Sequence, residues 1–242
     1  MTVDAPDGTP VATVRIDDTA GVRWAVVTLL APATTAAPVL LDMLAGHRVV
    51  TTDDALVTAL VAGGGTVRRR GHDYDFDLTA VPDGYAESPV PQGFSLTRDL
   101  DPVGLADAHD RANPPGHPDH EPGLDHVADL RSMLAGEVLG PLVPAASWQV
   151  NDAAGPCGAI LIVDRPPSAA GVERAWVVDV FVDPRHQGQG LGGTLLRRGV
   201  AGAASAGHRL LGLVVSDGNP ARTAYEKAGF RHVSSGSTVD LP

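Results

Sequence analysis

The stretch Asp183-Pro184-Arg185-His186-Gln187-Gly188-Gln189-Gly190-Leu191-Gly192-Gly193 joins an apolar segment to a helical one through a glycine-rich turn. Glycines at 188, 190, 192 and 193 let backbone N–H groups approach an anion closely. A helix starting there adds unsatisfied amides and its positive dipole end. The turn therefore reads as a phosphate cradle. Before it, Trp176-Val177-Val178-Asp179-Val180-Phe181-Val182 is a β-branched and aromatic run broken by a single carboxylate, which predicts a strand. After it, Leu191, Leu195, Leu196 and Val200 recur at helical spacing.

Three kinds of cradle compete for this corner. Gly188-x-Gly190-x-x-Gly193 has the form of a dinucleotide fingerprint, with Asp217 placed to hold a ribose. Only 49 residues follow Gly193, however, too few for the rest of a doubly wound sheet. A nucleoside-triphosphate loop is excluded because no Lys follows the glycines. The third reading uses more of the chain. Arg185-x-x-Gly188-x-Gly190 resembles the R/Q-x-x-G-x-G/A signature of GCN5-related N-acetyltransferases (GNAT). The segment Asn219-Pro220-Ala221-Arg222-Thr223-Ala224-Tyr225-Glu226-Lys227-Ala228-Gly229-Phe230 is similar to that family's N-x-x-A-x-x-x-Y-x-x-x-G-F ending, with Ala224 directly before Tyr225 and Ala221 filling part of the spacing. Between the two motifs lies a second apolar strand, Leu210-Leu211-Gly212-Leu213-Val214-Val215. Locally, Asn219 before Pro220 predicts an N-cap, and Gly229 a C′ residue, of a helix of about three turns.

The resemblance implies an α/β (α+β) fold, a mixed central sheet flanked by helices, with acetyl-CoA as co-substrate. It places Arg185 and the amides of Gln187, Gly188, Gln189, Gly190, Leu191 and Gly192 on the pyrophosphate. Backbone groups of Phe181 and Val182 are expected on the pantetheine arm, Asn219 on the cofactor, and Tyr225 as the acid that protonates the leaving thiolate. The base is sought among carboxylates. Asp179, among Val177, Val178, Val180 and Phe181, should have its charged form disfavoured by desolvation, which raises its pKa toward a useful range. Glu173, at the start of the same strand, is the alternative, acting through a water.

Composition frames this reading. The chain is 242 residues long and 43% hydrophobic, which predicts a globular, soluble protein. It has no apolar run long enough for a bilayer span and no secretion signal, so a cytoplasmic location without membrane partners is expected. A net charge of −11 argues against nucleic acid and hints at a cationic amine, small-molecule or protein, as acceptor. The single cysteine, Cys157, lies in a predicted strand and reads as a buried structural thiol. Histidines and carboxylates crowd residues 109–126. Prolines at 114, 115, 118 and 122 prevent a regular helix from aligning His117 with His120, and no cysteine joins them. The segment is expected to be an acidic lid on the acceptor side, with no metal.

Pro/Gly-rich residues 80–93 read as a linker. Residues 94–242 then form the acetyltransferase-like domain, and residues 1–79 a smaller half. Aligning 47–65 with 212–230 pairs Val49-Val50-Thr51 with Val214-Val215-Ser216, Thr58-Ala59 with Thr223-Ala224, and Gly64 with Gly229. This reads as a degenerate repeat. Leu60 stands where Tyr225 does, and no Arg-x-x-Gly-x-Gly precedes it, so a scaffolding, substrate-capping or homodimer-forming role is expected for this half. The main alternative to an enzyme is a noncatalytic acyl-CoA-binding regulatory module, with a dinucleotide-binding protein behind it.

Overall fold

A computed structural model describes residues 1–19, 22–165 and 173–242. The chain divides into two compact units, Met1–Asp73 with Val233–Pro242, and Tyr74–His232. In chain order the elements are β1 (Thr2–Asp4), β2 (Pro10–Thr19), β3 (Val22–Leu29), α1 (Ala33–Met43), β4 (Arg48–Thr51), α2 (Asp54–Ala62) and β5 (Thr66–Asp77). They continue with β6 (Ser95–Thr97), α3 (Pro102–Ala112), α4 (His126–Leu134), β7 (Trp148–Asp152), β8 (Gly155–Arg165), β9 (Arg174–Val182), α5 (Leu191–Ser205), β10 (Leu210–Ser216), α6 (Arg222–Lys227) and β11 (Arg231–Asp240). Among the described residues no helix is long and apolar enough to cross a membrane.

In the first unit the strand order is β1-β2-β3-β4-β11. β2 and β3 are antiparallel, β3 and β4 parallel, and Ser237–Asp240 of β11 pairs antiparallel with β4. Its core joins Val11, Val14, Ala25 and Val27 of the sheet to Leu40 of α1 and to Leu56 and Leu60 of α2. The Asp53 carboxylate caps α2 by accepting from the Leu56 N–H at 2.8 Å.

In the second unit the strand order is β5-β10-β9-β8-β7-β6. The pairs β6–β7, β7–β8 and β8–β9 are antiparallel, and β9 and β10 are parallel across α5. α5 buries Leu191, Leu195, Leu196 and Val200 on Ile160, Ile162, Val177 and Leu213. At roughly 1.5–3 kcal/mol for each fully buried aliphatic side chain, this stripe fixes where the helix begins, and so where its N-terminal amides point. α3 covers the other side of the sheet, with Leu105, Ala106 and Ala108 packed against Ala159, Leu161 and Phe181.

The repeat seen in the sequence is a repeat of elements. Two antiparallel strands, a helix, a parallel strand, a helix and a closing strand run from β2 to β5 and again from β8 to β11. Gly64 and Gly229 hold matching left-handed positions, with φ of +102° and +92°.

Three expectations change. The boundary falls at Asp73 and returns at Val233, because β11 ends on β4, in the unit opposite its own repeat. A reading by local composition cannot see that exchange. Residues 80–93 are not a free linker. Arg197 Nε donates to Ser88 Oγ at 2.7 Å, Arg198 Nε to Ser88 O at 3.0 Å and Thr194 Oγ1 to Pro89 O at 3.0 Å, so the segment is strapped along α5. The helix expected after Asn219 is α6, which begins only at Arg222.

Candidate active site

The site is built along β9. At Asp179 its pairing with β8 slips: Leu161 faces Asp179 while Ile162 faces Val177, which leaves Val178 as the extra residue of a β-bulge. A bulge bends a strand and re-aims the side chains beside it, and here the neighbour is the carboxylate. The parallel ladder to β10 covers Ala175 and Trp176. The β10-facing edge of Val177–Val182 lies beyond that ladder; on it the Val182 carbonyl accepts from Gln187 Nε2 at 3.2 Å, whereas the Phe181 carbonyl lies against Gly158 of β8, so the Phe181 backbone expected on the pantetheine arm is turned away from that edge.

Beyond Val182 the chain turns on Asp183. This carboxylate is fully buried and accepts from the Arg185 N–H at 3.0 Å, from Arg185 Nε at 3.0 Å and Nη2 at 2.7 Å, and from Arg111 Nε of α3 at 2.5 Å. Its bonds to Arg185, ahead of those to Arg111, hold its pKa well below the usual carboxylate range. His186 Nε2 lies 2.7 Å from Asp152 Oδ2 and packs edge-on against Phe94. On this braced base Gly188 and Gly190 adopt φ of +79° and +87°, and Gly190 is the N-cap of α5. Left-handed backbone of this kind favours glycine, and it turns successive amides toward one concavity. The first-turn amides Leu191, Gly192 and Gly193 have no acceptor within their own helix. Gln187 and Gln189 side chains donate back to the Val182 and Arg185 carbonyls at 3.2 and 3.5 Å.

Asp179 faces α3, with its Oδ2 3.3 Å from His109 Nε2. Burial, and then the charge of Asp119, push the Asp179 carboxyl up to about 7. Burial, and then His126, hold the His109 imidazole below its ordinary value. Glu173 is exposed and precedes β9. Six residues of strand, about 20 Å, separate it from Asp179, and the structure does not bring the two together.

Tyr225 is 7% exposed, on α6, within the core cluster that includes Leu191 and Leu195. Its helix ends in a Schellman motif. The Phe230 N–H donates to Tyr225 O and the Gly229 N–H to Glu226 O, both at 3.1 Å, and the Tyr225 and Phe230 rings meet at 6.2 Å. That geometry is the physical content of the Gly229-Phe230 pair.

Asn219 works differently from the simple cap expected. Its Oδ1 accepts from the Ala221 N–H at 2.8 Å, and its Nδ2 donates to Asp119 Oδ2 at 2.5 Å. Ser216 Oγ donates to the other oxygen of Asp119. The loop between α3 and α4 is thus latched to the end of β10, and Asn219 is engaged by protein at both ends of its side chain. Sequence reading passed over Asp183 and Arg111 as site residues. Asp183 stood in the decisive stretch, but nothing local marks a carboxylate as the buried partner of two guanidinium groups.

Residues 104–230 match the model of the acetyltransferase (GNAT) family. In fold the chain is similar to a GCN5-related N-acetyltransferase from Sphaerobacter thermophilus, with a TM-score of 0.63 and 16% identity over 98% of this chain and 78% of that one. A GCN5-related N-acetyltransferase from Kribbella flavida gives 0.57 and 15%, over 96% and 88%. A tandem GNAT protein from the clavulanic acid biosynthesis pathway gives 0.53 and 17%, over 96% and 79%. No curated protein matches the sequence. At these identities the structural likeness establishes the fold.

Proposed function

The chain belongs to the acetyltransferase (GNAT) family, and from that premise we propose that it is an acetyl-CoA-dependent N-acetyltransferase, passing acetyl directly to an amine of a small molecule or a protein. One observation carries the proposal: the left-handed Gly188 and Gly190 lead into α5 one turn after a strand whose pairing with β10, among the described residues, ends at Trp176. A cradle for a pyrophosphate and an edge for an extended amide chain therefore lie in series, which suits coenzyme A and suits neither NAD nor ATP. When bound, acetyl-CoA supplies an activated acyl thioester.

The residues divide the work as follows. The amides of Gln187 to Gly192 hold the diphosphate, with Arg185 fixing the turn through Asp183. The β10-facing backbone edge of β9 up to Val182 takes the pantetheine arm and offers donors to the carbonyl oxygen as negative charge grows there. Asp179, re-aimed by the bulge, takes the proton shed by the attacking amine as the C–N bond forms. Tyr225 gives its phenolic proton to the sulfur as the C–S bond breaks, and solvent restores it. The carboxylates of Asp119, Asp129 and Asp179 favour a cationic acceptor.

The test is release of free CoA thiol from acetyl-CoA with a panel of polyamines, aminoglycosides, amino acids and peptide N-termini. Amine-dependent release supports the reading. Acetyl-CoA binding without release across the panel would replace the enzyme with a noncatalytic acyl-CoA-binding module.

A further inference from the structure

α3 turns one face to the sheet through Leu105, Ala108 and Ala112, all buried, and His109 stands on that same stripe, four residues after Leu105. An imidazole there gives up most of its water and has to find its partners in the protein. The Phe181 ring meets it edge-on at 5.1 Å and the His126 ring of α4 at 4.6 Å. Phe181 and Asp179 lie two residues apart on β9, in register with Ala159 and Leu161, and so share a face. The rings that fix His109 thus set its Nε2 3.3 Å from Asp179 Oδ2.

A neutral imidazole carries one proton, and its surroundings choose the nitrogen. His109 Nδ1 is buried with no hydrogen-bond partner among the described residues, whereas Nε2 has the Asp179 carboxylate. A proton on Nδ1 would strand a donor and turn the Nε2 lone pair on an anion. A proton on Nε2 leaves only an unused lone pair at Nδ1 and meets a charged acceptor. The Asn113 side-chain amide, 2.9 Å from Nε2, then presents its oxygen to the same N–H. Burial, followed by the charge of His126, keeps the ring neutral against the opposing carboxylates of Asp110, Asp129 and Asp119.

We propose that His109 is a positioning residue for the candidate base: its Nε2–H holds Asp179 Oδ2, aims the carboxylate and favours its ionised form. The proposal rests on the acetyl-transfer reading of Asp179. As the C–N bond forms, an N–H bond of the amine breaks and its proton goes to the other carboxylate oxygen, Oδ1, while His109 keeps its own proton throughout. Burial and the charges of Asp119 and Asp129 raise the Asp179 pKa, and the Val180 backbone N–H and the charge of His126 lower it. The His109 N–H acts with these last two, so removing it should make Asp179 harder to ionise.

The titration of Asp179 is read by carbon-13 NMR of the labelled full-length chain, without acetyl-CoA, with Asp179→Asn identifying the signal. His109→Leu suits the apolar stripe but has no donor, and should move the midpoint up by about one pH unit or more, a roughly tenfold rise in proton affinity. His109→Gln carries an N–H at the place of Nε2 and should hold the midpoint near the wild-type value. Nitrogen-15 NMR of the wild-type imidazole should find its proton on Nε2, a result that needs no variant.

With any amine that is turned over, the acid limb of the kcat profile should follow, moving to higher pH in His109→Leu and returning in His109→Gln. A merely structural histidine would lower kcat at every pH and leave that limb in place. A proton on Nδ1, a midpoint unmoved or lowered in His109→Leu, or a His109→Gln protein that titrates like His109→Leu would each overturn the proposal. Failure of the acetyl-transfer reading shows separately, as absence of CoA release while His109 still sets the Asp179 midpoint.

Discussion

The Asp119 carboxylate accepts a hydrogen bond from Asn219 Nδ2 at 2.5 Å, joining the loop after α3 to the turn that precedes α6. Ser216 Oγ donates to the same carboxylate. The charge of Asp119 also contributes to raising the Asp179 pKa. One side chain thus holds the loop after α3 in place and adds to the effect of burial on the candidate base. Asp119→Ala should raise the KM for the amine about tenfold or more, the equivalent of one lost charge-assisted hydrogen bond, while acetyl-CoA affinity stays nearly constant. Steady-state kinetics with each substrate varied in turn separates the two. An equal rise in both constants would place Asp119 on the cofactor instead.

The two candidate proton carriers make separable demands. Asp179→Asn keeps the size of the side chain and removes its basicity, and Tyr225→Phe keeps the ring and removes its proton. Each should lower kcat by about 100-fold or more and leave acetyl-CoA binding within about threefold. Glu173→Gln, at the exposed position just before β9, should have no effect on either. A loss of turnover on Glu173→Gln, with Asp179→Asn active, would exchange their roles.

Asp183 ties stability to pH in a definite direction. Its folded pKa lies below the ordinary value because Arg185 and Arg111 favour the ionised form. Its contribution is therefore fully present above the unfolded carboxylate pKa of about 3.9, and is lost as the pH falls below that through the depressed folded value. Asp183→Asn should cost roughly 2 kcal/mol at neutral pH and flatten the acid limb of the stability curve, so that the two proteins converge at low pH. Urea unfolding at a series of pH values measures this. A constant difference down to strong acid would contradict it.

Cys157 is fully buried on β8, and its sulfur faces the Val150 carbonyl at 3.5 Å. Burial, ahead of the charges of Asp152 and Asp183, pushes the thiol up to about 11. Since the thiolate is the reactive form, the native protein should not react with a thiol reagent at neutral pH, whereas the unfolded chain titrates as one thiol. Rapid labelling of the folded protein would show that this strand opens.

What the sequence disclosed and what it hid follow from the range of the interactions. The strand, turn and helix from Trp176 to Val200 were legible because their signals are local: alternation, glycine placement and helical spacing. The closing motif was legible for the same reason, and Gly229 and Phe230 form the cap their order implies. The helix there starts at Arg222 because Asn219 spends its side chain on the Ala221 amide and on Asp119, a residue 100 positions away. Long-range choices were not legible. Residues 80–93 looked like a linker by composition, but Ser88 is an acceptor for two arginines of α5. The domain boundary was misplaced because β11 pairs with β4, and no local pattern encodes a pairing across nearly the whole chain. The histidine-rich segment was legible in the sequence, but the contact between the rings of His109 and His126 was not, because it is made by the packing of α3 on α4.

The central claim is that the turn from Gln187 to Gly192 and the free edge of β9 are built for acetyl-CoA. Calorimetric titration of the full chain with acetyl-CoA, beside NAD and ATP, tests it most directly. The account predicts micromolar binding of acetyl-CoA alone. It also predicts a loss of about tenfold or more on Gly190→Ala, where a Cβ meets no neighbour but the left-handed φ of +87° is penalised by about 1 kcal/mol or more. Absence of acetyl-CoA binding, or a preference for NAD, would contradict it.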